Sequence, residues 1–184
     1  GGVPGGEGGA VPGGAAVRVT MPCPSCWGRQ RVCEYCDGRG AVEDVQISPH
    51  FRLSELIRSD TARAQGLYQV PPPAVVERLR ELCVELLEPV RAEVGPLRVT
   101  SGYRRPGVNA AVGGSSTSAH LTGWAADVVP VRGTPEQIMS LLHDAGHALA
   151  WDQAILYPGH VHLGYRRPAT GEQRMQLLRS DGVS

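Results

Sequence analysis

Two stretches of this 184-residue chain carry side chains whose types and spacing suit metal chemistry. In Ser118-Ala119-His120-Leu121-Thr122-Gly123-Trp124-Ala125-Ala126-Asp127 a histidine and an aspartate stand seven apart with a glycine between them. In His160-Val161-His162 two histidines stand two apart. Zinc in catalytic sites takes three protein ligands from imidazole and carboxylate and leaves a fourth position to water. A loop that turns at Gly123 into a strand returns Asp127 beside His120. Residues two apart in a strand share a face, so His160 and His162 both face one metal, one as ligand and the other beside it.

A second set is built of thiols. Cys23-Pro24-Ser25-Cys26 and Cys33-Glu34-Tyr35-Cys36 are two C-x2-C pairs six residues apart. Two such pairs at hairpin distance place four thiolates around one structural zinc, at bonds of about 2.3 Å. Two disulfides or a redox dithiol are the alternatives. The glycines of Cys36-Asp37-Gly38-Arg39-Gly40 resemble the knuckles of chaperone-type (DnaJ-like) zinc fingers, which implies structural zinc. A module this short has almost no core, so metal would supply much of its folding energy. Arg29, Arg31 and Arg39 make it mildly basic. Cys83 falls on an apolar helix face and reads as a core residue.

The elements that must position these groups are legible in outline. Residues 1–20 are rich in glycine and read as a flexible arm that cannot offset its ordering entropy. Residues 21–44 are the cysteine module, and residues 45–184 the main domain. Leu53–Ile57 starts a short helix. After Pro71-Pro72-Pro73 a long helix carries Val75, Val76, Leu79, Leu82, Cys83, Leu86, Leu87 and Val90 at three- and four-residue spacing, one buried face. Pro89 is expected to bend it and Gly95 to end it. Strands are expected at Leu97–Thr100, Trp124–Val129, Gln153–Leu156, His160–Tyr165 and Gln173–Leu178, and a short helix at Val108–Val112. A helix capped by Thr134 and Gln137 runs to about His147. The mixture is α+β, an antiparallel sheet with helices on one side.

Taken in order, Val99-Thr100-Ser101-Gly102-Tyr103-Arg104, then Asn109, then Ser118-x-His120-x-x-Gly123-x-Ala125-x-Asp127, then His160-x-His162 resembles the zinc D-Ala-D-Ala carboxypeptidase and peptidoglycan endopeptidase family, of Hedgehog/DD-peptidase fold, which includes phage endolysins. The likeness covers roughly Ile47 to Tyr165. It implies His120, Asp127 and His162 as zinc ligands, Arg104 as the arginine that contacts substrate and stabilises the oxyanion, and Ser118 and Tyr103 as further substrate contacts. Many relatives place a glutamate base shortly before the last zinc histidine. Here Ile155-Leu156-Tyr157-Pro158-Gly159-His160-Val161 contains no acid. His160 substitutes, as in relatives ending in His-x-His, or Asp152 does from the neighbouring strand.

The function expected is hydrolysis of an amide bond next to a D-amino acid in peptidoglycan stem peptides, with two zinc ions per chain. The alternative is a catalytically weak module that binds cell wall or serves as a structural part of a phage particle, docking other proteins through its arm and knuckle. Lys plus Arg equals Asp plus Glu at 18 each, so bulk charge points to no nucleic acid or membrane surface. No apolar run approaches the roughly 20 residues of a membrane helix. A basic region followed by an apolar core is absent, so no signal peptide is read, and a chain starting at Gly1 is expected to be processed or a fragment. The expected place of action is the bacterial cell wall or a phage particle. His143 and His147 stand four apart on a helix but lack the glutamate of the HExxH pattern, and are discounted as a site.

Overall fold

The computed structural model describes residues 20–29 and 33–180, and of His147 only the backbone. Apart from Thr20, the arm expected over residues 1–20 lies outside the described residues, as does Arg31.

β1 (Thr20–Pro22) pairs antiparallel with β2 (Ala41–Glu43) and closes the cysteine module. Met21 points from β1 into the main core at 5 % exposure, so the hairpin is packed on the domain. A second small hairpin joins β3 (Gln46–Ser48) to β4 (Phe51–Arg52) and runs straight into α1 (Leu53–Ile57). Asp44 anchors this corner by accepting hydrogen bonds from the Ser54 backbone and hydroxyl. α2 (Asp60–Gln65), which the residue pattern did not announce, starts at Ser59, whose side chain accepts from the Ala62 amide.

The apolar face foreseen after the proline run is real, and the helix is interrupted just before Pro89. α3 (Pro73–Leu82) passes into a π-turn at Cys83–Leu87 and continues as α4 (Glu88–Val94), which ends at Gly95. A proline clashes with the carbonyl four residues back, here that of Glu85, and cannot donate to it. The wider turn accommodates this: Glu88 donates to the Cys83 carbonyl, five residues back. Leu79, Leu82, Leu86, Leu87 and Val90 are all 0 % exposed. At about 1.5–3 kcal/mol per buried side chain, this face is a main source of stability.

The central sheet has five strands: β5 (Leu97–Ser101), β6 (Ala125–Pro130), β7 (Gln153–Tyr157), β8 (His160–Gly164) and β9 (Gln176–Arg179). Their order is β5-β6-β8-β7-β9, antiparallel except for the parallel pair β7-β9. Alternation sets its two faces. Ala126, Val128, Ala154, Leu156, Val161 and Leu163 face the core, together with the α3–α4 unit and α6 (Pro135–Ala145), while α5 (Pro106–Ala111) is the short helix between β5 and β6. Asp127, Ile155, Tyr157, His160 and His162 face an open cleft. The capping box of Thr134 and Gln137 forms as expected. The fold is α+β with a mostly antiparallel sheet and helices on one face.

Candidate metal centre

Strand register brings Asp127 and His162 together: they are direct partners across β6 and β8, and Ile155 is the partner of His162 on the other side. His120 arrives by a different route. It sits in a 3₁₀ turn, Ala119–Thr122, and its own amide donates to the Ser118 hydroxyl at the start of that turn. The turn ends at Gly123 in a left-handed conformation, φ +80°, with Val75 so close that a Cβ would meet its Cγ1 at 3.0 Å. Any other residue there is strained in backbone and crowded in space. The chain reverses at this glycine and enters β6, which returns Asp127 beside His120 as the spacing required.

The three ligand atoms converge. His120 Nε2 lies 3.2 Å from Asp127 Oδ1 and 3.1 Å from His162 Nδ1, and His162 Nδ1 lies 3.0 Å from Asp127 Oδ1. Ligands about 2.1 Å from a tetrahedral ion stand roughly 3.4 Å apart, so the triangle is slightly contracted from metal-binding size. The tautomer of His120 is fixed. Its Nδ1 is 2.7 Å from the Gly102 carbonyl, which only accepts, so Nδ1 carries the proton and Nε2 presents a lone pair. Burial pushes the pKa of His120 below its usual value, despite the neighbouring carboxylate. Burial alone would raise the Asp127 carboxyl, but the imidazoles of His120 and His162 close beside it hold it well below the usual carboxylate range. The contact between Nε2 and Oδ1 therefore sets lone pair against lone pair in a site where His120 is 3 % exposed. A divalent cation at the centre of the triangle relieves that repulsion, so the donor set fits zinc.

Arg104 does not stand free in the cleft. Its Nη2 donates to Asp127 Oδ2 at 2.7 Å and its Nε to the Ser101 hydroxyl at 2.8 Å. Asp127 thus gives one oxygen to the triangle and the other to a guanidinium. The cleft, about 970 Å³, is floored by the sheet and walled by the loop Gly113–Thr122 and by Arg167–Ala169 with Arg174. Ser118 and His160 line it, and His160 stacks on Tyr157 with centroids 4.9 Å apart and planes 7° from parallel. Asn109 holds the loop wall by donating to the carbonyls of Gly114 and Ser115.

Two residues named from the sequence sit differently. Tyr103, foreseen as a substrate contact, is 4 % exposed and packs in the core; what it contributes here is backbone, its amide donating to the Leu56 carbonyl. Asp152 does line the cleft, but Arg174 grips both its oxygens, Nε to Oδ1 at 2.7 Å and Nη2 to Oδ2 at 2.8 Å. This two-pronged ion pair ties Asp152 to Arg174 and leaves neither oxygen without a partner. Arg174 was not foreseen, since nothing local marks one arginine of 18 as the partner of an aspartate 22 residues away.

The four cysteines also converge. Sγ of Cys23 and Cys33 are 3.9 Å apart, and those of Cys26 and Cys36 are 3.8 Å apart. Bonds of about 2.3 Å to a tetrahedral zinc give sulfur separations of about 3.8 Å, whereas a disulfide bond is about 2.05 Å. All four are free thiols and buried, and the Gly40 amide donates to Cys36 Sγ at 3.3 Å. The set is compatible with zinc.

A family profile described as Peptidase M15 matches residues 49–164, more than half of the chain. The chain belongs to the M15 peptidase family, whose members use zinc. The match spans both halves of the His/Asp/His centre and leaves out the cysteine module. No curated protein matches the chain.

Proposed function

We propose that this chain is a zinc peptidase that hydrolyses an amide bond next to a D-amino acid in peptidoglycan stem peptides, with the metal held by His120, Asp127 and His162. The observation that carries this reading is the triangle of ligand atoms, all within 3.2 Å of one another, at the floor of an open cleft in an M15 peptidase domain. Zinc there would polarise the scissile carbonyl and lower the pKa of a water to about 7.

The surrounding residues divide the remaining work. Arg104 places a positive charge at the rim of the triangle, where it orients Asp127 and stabilises negative charge developing on the substrate oxygen. His160 takes the proton of the attacking water: it shares the cleft face of β8 with His162, and the stacked Tyr157 fixes its ring plane. Asp152 holds Arg174 against the cleft wall rather than acting as base. Ser118 shapes the His120 turn and lines the cleft beside it. Cys23, Cys26, Cys33 and Cys36 hold a second, structural zinc.

Because both carboxylates among the described residues of the cleft, Asp127 and Asp152, are held by arginines, a second reading is that the domain binds cell-wall peptide without cutting it. One experiment separates the two. Zinc-loaded protein is incubated with peptidoglycan fragments, and released D-alanine or peptide is measured. The enzyme reading expects chelator-sensitive release, abolished in His162→Ala and reduced by about 10²–10⁴ in His160→Ala, the usual worth of a general base. Release no greater from wild type than from His162→Ala sinks it.

A further inference from the structure

The cysteine module and the metal centre are joined by an unbroken run of hydrogen bonds. On the module's side, Trp27 Nε1 donates to the Leu67 carbonyl at 2.8 Å, and the Pro24 carbonyl accepts from the Gln69 amide at 2.9 Å. These bonds grip the segment between α2 and α3, which has no helix or strand of its own. On the other side of that segment the Gln69 side chain, 0 % exposed, reaches the loop that follows β5. Its Nε2 donates to the Tyr103 carbonyl at 2.6 Å and its Oε1 accepts from the Arg105 amide at 3.0 Å. Arg105 returns the grip, with Nη1 on the Val70 carbonyl at 3.2 Å and its guanidinium 4.6 Å above the Tyr68 ring.

Gln69 therefore brackets Arg104, bonding the residue before it and the residue after it. Arg104 in turn donates from its amide to the His120 carbonyl at 3.0 Å and from its side chain to Asp127. A buried amide is costly unless its polar atoms are paired. Here its oxygen and nitrogen serve the backbone on either side of the arginine that touches the metal ligand.

Among the described residues the module's own buried cluster is the four cysteines, with Val42 packed against them, so a bound metal would supply much of its folding energy. We propose that the metal-loaded cysteine module is a clamp on the active centre, and that Gln69 is the positioning residue through which it fixes the Tyr103–Arg105 segment. The clamp rests on the reading that Cys23, Cys26, Cys33 and Cys36 bind zinc, and it holds whether or not the cleft proves to be a peptidase site. Emptying the module releases Trp27 and Pro24 from residues 67–70, Gln69 loses its fixed position, and Arg104 loosens against His120 and Asp127.

The test uses the full chain and zinc itself. Zinc per chain is measured together with hydrogen exchange at the amides of Tyr103 and Arg104, whose acceptors, Leu56 and His120, are not Gln69. In Cys33→Ser/Cys36→Ser, one zinc is lost and both amides exchange faster by about tenfold or more, the opening expected when a buried restraint is removed. In Gln69→Leu both zincs stay and the same amides quicken. Leu142→Ala, a cavity in α6 behind the sheet, is the control for general loss of stability and leaves the ratio of these amides to those of β6 and β8 unchanged. If Gln69→Leu keeps both metals and both amides exchange as in wild type, the relay is overturned, even where the cysteine variant fails to fold. A wild-type chain holding one zinc, which follows His162→Ala and ignores the cysteine substitutions, overturns the knuckle reading instead.

Discussion

At the residue scale, the centre is shaped by which atoms are already spoken for. The Gly102 carbonyl fixes the tautomer of His120, Arg104 occupies one oxygen of Asp127, and Arg174 occupies both oxygens of Asp152. What remains, two imidazole nitrogens and one carboxylate oxygen, faces a single point. Cys83, by contrast, is a core thiol, pushed up to about 12 by burial and so protonated and inert. A pH dependence follows for the metal-free chain. His120 and Asp127 both have folded pKa values below their unfolded ones, so the unfolded state binds more protons in acid and stability falls as pH falls. The loss begins as pH drops below about 6.5, where an unfolded histidine protonates, and continues below about 3.9, where an unfolded aspartate does. Urea unfolding of chelator-treated protein between neutral and acid pH checks this; a midpoint that holds steady through pH 6 would contradict the buried neutral imidazole.

At the element scale, the parts with a period or a cap were readable and the parts held by distant contacts were not. The α3–α4 face announced itself through apolar residues three and four apart, and α6 through Thr134 and Gln137. The seven-residue step from His120 to Asp127, with Gly123 between, foretold a turn into a strand. The π-turn at Cys83–Leu87 was not foreseen, because the rule that proline kinks a helix does not say how the chain absorbs the misfit. β9 pairs parallel with β7, which a strand's own residue pattern does not announce. Gln69 had no local signature: a glutamine before three prolines becomes informative only once Tyr103 and Arg105 lie beside it. Gly102 shows how tightly two elements approach. A Cβ there would stand 2.2 Å from the Leu56 carbonyl oxygen of α1, a backbone atom that cannot swing aside. Gly102→Ala is expected to cost about 2 kcal/mol or more in unfolding free energy, the usual scale of overpacking. It is also expected to weaken zinc binding by about 10–100-fold, since the carbonyl that orients His120 is displaced. Denaturant unfolding and a zinc-competition titration measure both; wild-type values in either would mean that α1 and β5 are looser than described.

At the scale of the whole molecule, the sheet separates two environments. One face is closed by α3, α4 and α6 and supplies the stability. The other is the open floor on which His160, His162 and Asp127 stand, and its walls are loops. The cysteine module lies outside the stretch matched to the M15 family yet is packed on the same core through Met21 and tied to the loop beside Arg104 through Gln69. No helix among the described residues is long and apolar enough to cross a membrane. The proposed function rests on a divalent ion within the His/Asp/His triangle. Diffraction from zinc-saturated crystals of the full chain, recorded on either side of the zinc absorption edge, tests it directly. The predicted result is an anomalous peak about 2.0–2.2 Å from His120 Nε2, Asp127 Oδ1 and His162 Nδ1. A triangle without such a peak, with the three side chains closed on one another by hydrogen bonds alone, would contradict it.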